Sequence, residues 1–106
     1  MSWQIRFLEE AINDMENLDG SRRKQVLKGI IKVSQNPIPN TEGGYGKPLG
    51  NHSGANLTGC LKIKFKQSGL RVVYYLERKE EIMNIIIVSI RDDDYVYKQA
   101  SKRFFK

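Results

Sequence analysis

Lys62, Lys64 and Lys66 alternate with Leu61, Ile63 and Phe65, and Arg71 follows across a short turn. Side chains of an extended strand alternate between faces, so this spacing puts the ammonium groups on one face and the apolar groups on the other. Cations held rigidly on a sheet suit a polyanion, and RNA phosphate is the first candidate. Cleaving RNA takes a base that activates the ribose 2′-hydroxyl, cations that stabilise charge developing at phosphorus, and an acid for the leaving oxygen. His52 is the only histidine of the sequence, so a histidine pair is excluded and lysine and tyrosine have to move the protons. An isolated lysine is only about 0.04% neutral at pH 7. Crowding cations disfavours the charged form, and Lys62 and Lys64, facing Arg71 across the hairpin, have the spacing for it. Arginine stays protonated, which suits Arg71 and Arg91 to clamping phosphate. The same lysine pattern also protects an exposed strand from edge-to-edge association. Arg91 equally fits a plain strand end, and Tyr97 a core position with its hydroxyl at the surface.

These residues need elements to hold them. Trp3 to Leu8 reads as a first strand. Leu8, Ala11, Ile12, Met15 and Leu18 fall at helical spacing. Gly20 is expected to stop that helix and Ser21 to cap the next, giving a tight Asp19-Gly20-Ser21 turn. Val26, Leu27, Ile30 and Ile31 form the apolar stripe of the second helix, with Lys24, Lys28 and Lys32 on its solvated side. Asn36-Pro37 ends it. Residues 37 to 56 hold three prolines and five glycines and read as a long loop whose Gly43-to-Gly46 segment is flexible. Its spacing is not that of a phosphate-binding loop.

From Leu57 the period is two, with strands over about 57–66, 70–77 and 82–90 and turns at Gln67-Ser68-Gly69 and Arg78 to Glu81. Ile82 to Ile90 is almost continuously apolar, which predicts a central strand covered on both faces. Asp92 to Asp94 reads as the acidic cap of a last helix, lined by Val96, Tyr97, Ala100 and Phe104. The expected fold class is α+β in the order β-α-α-β-β-β-α. An antiparallel sheet of about four strands carries the helical hairpin on one face, and the lysine face is partly roofed by the last helix.

The bulk composition narrows the function classes. A chain of 106 residues predicts one domain. Eighteen Lys and Arg against 12 Asp and Glu give a net charge of +6, which favours nucleic acid or an acidic protein partner. One cysteine, Cys60, allows no internal disulfide, and with one histidine the chain lacks material for a Cys/His metal site. The N-terminus has no signal-peptide layout, and the longest apolar run falls far short of the ~20 residues of a membrane span. A soluble, cytoplasmic protein with no cofactor and no membrane partner is expected.

Taken together, CLKIKFKQSGLRVVYYL at 60–76, the apolar strand ending in Arg91 and the DDDYVYKQASKR segment at 92–103 resemble the RelE family of bacterial toxins, within the RelE/ParE superfamily. The Asn36-Pro37 turn and Gly46-Lys47-Pro48-Leu49 also look like that family's loop, so the resemblance spans essentially the whole chain. It implies a compact fold and an endoribonuclease, an mRNA interferase that cleaves messenger RNA in the ribosomal A site and leaves a 2′,3′-cyclic phosphate. By position it implies base catalysis and charge stabilisation for Lys62 and Lys64, a clamp on the scissile phosphate for Arg71, leaving-group protonation or phosphate contact for Arg91, and base stacking with a share of base catalysis for Tyr97. Lys66, Arg78, Lys102 and Arg103 are expected to contact RNA outside the scissile phosphate. The family often carries Gly-Lys before this arginine, whereas Ser89-Ile90 stand here; one cation is lost beside the site, and Asp92 to Asp94 either add negative charge that weakens its field or serve only as the helix cap. The implied partners are a RelB-like antitoxin, the ribosome with its RNA, and mRNA, with DNA reached only through the antitoxin. Two alternatives share parts of this evidence: a ParE-like inhibitor of DNA gyrase on the same scaffold, and a basic RNA-binding domain without catalysis.

Overall fold

From Cys60 the period-two pattern becomes three antiparallel strands, β5 (Cys60–Phe65), β6 (Leu70–Glu77) and β7 (Ile82–Ser89). Gly69 turns the first hairpin at φ 73°, a left-handed conformation that glycine enters without a Cβ penalty. β1 (Gln4–Phe7) pairs in parallel with β7, and β2 (Lys47–Pro48) pairs with β5 at the other edge. The sheet therefore runs β1-β7-β6-β5-β2. The computed structural model describes residues 2–52 and 55–105. Within them a small ribbon, β3 (Asn51–His52) with β4 (Ala55–Asn56), accompanies the main sheet. The α+β class is as expected, but the sheet has five strands and is mixed rather than wholly antiparallel. The fifth strand is two residues containing a proline, too short to show a period in sequence.

Helices α1 (Glu9–Glu16) and α2 (Gly20–Ser34) pack on one face of the sheet. Asp19, extended at φ −68° and ψ 165°, caps α2 by accepting the Arg22 amide at 2.8 Å. Gly20 is thus the first residue of α2, neither a stop for α1 nor followed by a Ser21 cap. The end of α1 is closed instead by Arg23, whose guanidinium donates to the carbonyls of Met15, Glu16 and Leu18. Val26 and Ile30 are buried as expected, while Leu27 and Ile31 are 38% and 53% exposed. The sheet covers a narrower arc of α2 than those four residues span.

The hairpin face joins Leu61, Leu70, Val72, Tyr74, Met83, Ile85 and Val88 to the helices. On the other face Cys60, Val73, Ile86 and Ile87 pack beneath Val96, Tyr97 and Ala100 of α3 (Asp93–Phe104). β7 is buried on both faces, as its apolar run predicts. A register shift sets Val73 against Ile87 but Tyr74 against Ile85. The extra residue, Ile86, joins Ile87 on the α3 side, so Val88 returns to the hairpin side and Ser89 comes level with Arg71. This bulge sets the register in which β7 delivers Arg91 to the cation face.

The segment from Pro37 to Gly46 is tightly held rather than flexible. Tyr74 Oη donates to the Pro37 carbonyl at 2.9 Å, and the Tyr45, Gly46 and Asn40 amides bond to Asn36, Ile38 and Gly46 at 2.9, 3.0 and 2.7 Å. A Cβ on Gly44 would lie 2.0 Å from the Ile38 carbonyl oxygen, and one on Gly46 would lie 2.4 Å from Leu61. These glycines permit close approach of backbone to neighbours. Composition alone does not distinguish that use from conformational freedom.

Candidate active site: a cation face under the start of α3

Pairing of β5 with β6 sets Lys64 opposite Arg71, and β2 sets Lys47 opposite Lys62. Directly opposed residues share a face, so Lys47, Lys62, Lys64 and Arg71 form one cationic surface. Like charges opposed across a ladder cost stability, and a bound polyanion would offset that cost. The sequence pattern does not single out Lys47; its one signal is its place in the Gly46-Lys47-Pro48-Leu49 segment.

The N-terminus of α3 meets this surface. Asp92, at φ −67° and ψ 166°, caps the helix by accepting the Tyr95 amide at 2.9 Å. Asp94 pairs with Lys98 one turn on, at 3.2 Å. Asp93 turns instead to the sheet, where Oδ1 accepts from Arg71 Nε and Oδ2 lies 3.6 Å from Lys64 Nζ. The reading of the acidic run as a helix cap alone is therefore corrected. Three adjacent aspartates have three different jobs because successive helix positions point about 100° apart, and Asp93 belongs to the site. Burial pushes its carboxyl pKa up, but the hydrogen bond from Arg71 and the charges of Arg71, Lys64 and Lys62 outweigh burial and hold it below the ordinary carboxylate range.

Arg71 is the most constrained of the cations. Its side chain is 18% exposed, and Nη1 also donates to the Gly69 carbonyl at 2.9 Å and the Arg91 carbonyl at 2.7 Å. Lys62 Nζ lies 5.8 Å from the centroid of the Tyr97 ring, a cation–π distance. Tyr97 itself is 1% exposed, inside the core beneath α3. Burial and the Asp93 charge push its phenol up, against the opposing charges of Lys64 and Arg71. A covered, protonated phenol neither stacks on a base nor accepts a proton in this conformation.

Arg91 is exposed just beyond β7, with its guanidinium carbon 4.1 Å from the Tyr95 ring centroid. Tyr95 is an exposed aromatic at this edge, which attention to Tyr97 conceals. The helical period reveals it, because positions 95 and 97 point roughly 200° apart. Lys66 is exposed in the turn after β5, and Lys102 is exposed on α3. Two further residues expected to contact RNA lie away from Arg71 and are ion-paired within the fold. Arg78 sits at the far end of β6 from Arg71, about 23 Å by strand rise, and pairs with both carboxylate oxygens of Glu42 at 2.8 Å.

Arg103 is engaged at β7. Its guanidinium pairs with Asp14 at 2.7 Å and donates to the Ile86 carbonyl at 3.0 Å, while Asp14 accepts the Val88 amide at 3.0 Å. β1 ends opposite Ile85, so beyond it this edge of β7 has no strand partner, and the Asp14–Arg103 pair satisfies its backbone. Arg103 thus fastens α3 to α1 around the sheet edge, with its guanidinium engaged by Asp14 and the Ile86 carbonyl.

No family model matches the chain. A RelE-like toxin protein of Escherichia coli is 32% identical over 107 residues, covering 97% of this chain and 98% of its own. The mRNA interferase toxin RelE of Escherichia coli is 28% identical over 103 residues, again covering 97% and 98%. A solved structure of an Escherichia coli RelE double-arginine mutant in the free state aligns with a TM-score of 0.74 at 26% identity, over 97% of this chain and 98% of that one. The same mutant in complex with an antitoxin RelBc peptide gives 0.71 at 25% identity, over 94% and 95%. Matched from end to end by a sequence relative, and sharing its fold with solved RelE structures, the chain belongs to the RelE family of toxins.

Proposed function

We propose that this chain is the toxin of a type II toxin–antitoxin pair and acts as an endoribonuclease, cleaving messenger RNA in the ribosomal A site by attack of the ribose 2′-hydroxyl. The observation that carries this reading is the convergence of Lys62, Lys64 and Arg71 on one sheet face with Arg91 at its rim, in a chain related to an mRNA interferase. Arg71 clamps the scissile phosphate, its guanidinium already oriented by the Gly69 and Arg91 carbonyls. Lys64 and Lys62 stabilise the charge that develops at phosphorus and exchange protons with the reacting oxygens. Arg91, which stays protonated, contacts the phosphate or leaving group at the rim. The exposed Lys66 contacts ribosomal RNA rather than the reacting phosphate. Tyr97 acts on a substrate base only after α3 shifts.

A RelB-like antitoxin is the proposed partner, by analogy with the RelE mutant held by an antitoxin peptide. The net charge of +6 favours fast encounter with an acidic segment, and DNA is reached only through that antitoxin. The proposal is tested by inducing wild type, Lys64→Ala and Arg71→Ala in bacteria and mapping mRNA ends by primer extension. Wild type is expected to arrest growth and to give translation-dependent cuts at codon boundaries, with neither effect in the variants. Growth arrest with intact mRNA and induced DNA damage would overturn the proposal in favour of gyrase inhibition.

A further inference from the structure

Asp93 stands where a substrate anion has to stand. One carboxylate oxygen takes the Arg71 Nε–H and the other lies 3.6 Å from Lys64 Nζ. A carboxylate and a phosphate present similar forks of acceptor oxygens to a guanidinium. The cap of α3 is already supplied by Asp92, so the N-cap hydrogen bond does not depend on Asp93. We propose that Asp93 is an internal occupant of the phosphate subsite, and that an RNA phosphate binds by displacing it and drawing the first turn of α3 off the sheet. This rests on the reading of the cation face as an RNA-cleaving site.

Several observations converge on that picture. Asp93 is 38% exposed, so an incoming anion can compete for its partners. The far half of α3 is fixed by the Arg103–Asp14 pair at 2.7 Å and by packing of Phe104 on Tyr75 with ring centroids 5.0 Å apart, which confines the movement to the first turns. Tyr97 lies one helical turn after Asp93 on the same face. The displacement that frees Arg71 and Lys64 therefore also uncovers the Tyr97 ring and Lys62 above it. Once Asp93 leaves, Lys62, Lys64 and Arg71 lose their shared counter-charge, and a polyanion replaces it. Asp93 is on this account a gating residue that holds the cations in position without touching the reacting atoms.

The test measures binding of two probes to the whole protein, inorganic phosphate and an RNA hexanucleotide that is 2′-O-methylated on every ribose and so cannot be cleaved. Asp93→Asn is expected to bind both roughly tenfold more tightly than wild type, while Asp93→Glu, which keeps the charge, stays near wild type. An Asn variant that binds no more tightly would overturn the proposal. A second measurement needs no variant: the Arg71 Nε–H resonance of wild type is followed by NMR during a phosphate titration. It is expected to move as Asp93 is exchanged for phosphate, and binding that leaves the Arg71–Asp93 contact intact would also overturn the proposal. Cleavage of ribosome-bound mRNA is assayed alongside. A wild type that never cleaves defeats the parent reading, whereas an active wild type with unchanged affinity in Asp93→Asn defeats this one alone.

Discussion

Arg71 and Asp93 define the site at the scale of single residues. Arg71 joins the β5–β6 turn, the end of β7 and the start of α3 through one guanidinium. Its replacement by lysine keeps the charge but loses the planar fork, so Arg71→Lys is expected to retain less than about a tenth of wild-type cleavage, with Arg71→Ala lower by a further order of magnitude. Equal activity of the lysine variant and wild type in single-turnover assays would show that charge alone suffices. Asp93 has its folded pKa lowered, so the unfolded chain takes up its proton first on acidification. The stability it contributes is complete above the unfolded value of about 3.9 and fades as pH falls through the lower folded value. Wild type is therefore expected to lose thermal stability more steeply than Asp93→Asn below about pH 4; parallel acid limbs would contradict the Asp93 ion pairs. Cys60 is a simpler case. Burial pushes its thiol up to about 11, so a thiol reagent at pH 8 should spare the native protein and react fully once urea unfolds it. Labelling of the folded state at the rate of a free thiol would contradict its placement beneath α3.

Pattern and placement separate at the scale of elements. The strands from Cys60 onward are legible because alternation marks both faces, and Gly69 marks the turn. Val96, Tyr97 and Ala100 are legible as the inner face of α3 for the same reason of period. What pattern does not carry is the set of jobs fixed by three-dimensional neighbours. The bulge at Ile86 breaks the alternation of β7 without leaving a glycine to mark it. Gly44 and Gly46 look like hinges in composition, yet they are close-packing positions. Gly46→Ala is expected to cost roughly 2 kcal/mol or more through forced displacement of Leu61 and Tyr74, readable as a shift in urea midpoint; an unchanged midpoint would mean the loop yields freely. Arg103 looks like a solvated basic residue near a helix end, yet the pair with Asp14 closes an open strand edge at 16% and 18% side-chain exposure. Losing one partner of a buried pair costs about 3–5 kcal/mol, and partial exposure reduces that to about 2 kcal/mol for Arg103→Ala. The same variant should leave RNA affinity unchanged, and a large loss of RNA binding without loss of stability would restore Arg103 to the RNA surface.

The whole molecule treats its two sheet faces differently. The helical hairpin seals one face with the larger apolar cluster, while α3 covers only part of the other and leaves a row of cations at its N-terminal end. The cations themselves are legible in the sequence, because strand period and residue type together specify them. Lys47 is not, since it is placed by pairing of a two-residue strand; the acidic run beside the site is legible, but that Asp93 alone turns to the cations is set by the angle between adjacent helix positions. A basic chain whose cation face is partly neutralised from within by Asp93 differs from a simple electrostatic trap for a polyanion: under the proposed gating, that charge is held in reserve for an anion that displaces Asp93. The proposed activity is cleavage of RNA on the ribosome by this face. Its most direct test is a reconstituted assay with programmed ribosomes, in which the wild-type protein, Lys64→Ala and Arg71→Ala are compared for cleavage of mRNA in the A site. Wild type should yield a product ending in a 2′,3′-cyclic phosphate, with the variants slower by at least about a hundredfold. Intact mRNA with folded wild-type protein, or equal cleavage by all three, would contradict cleavage by this cation face.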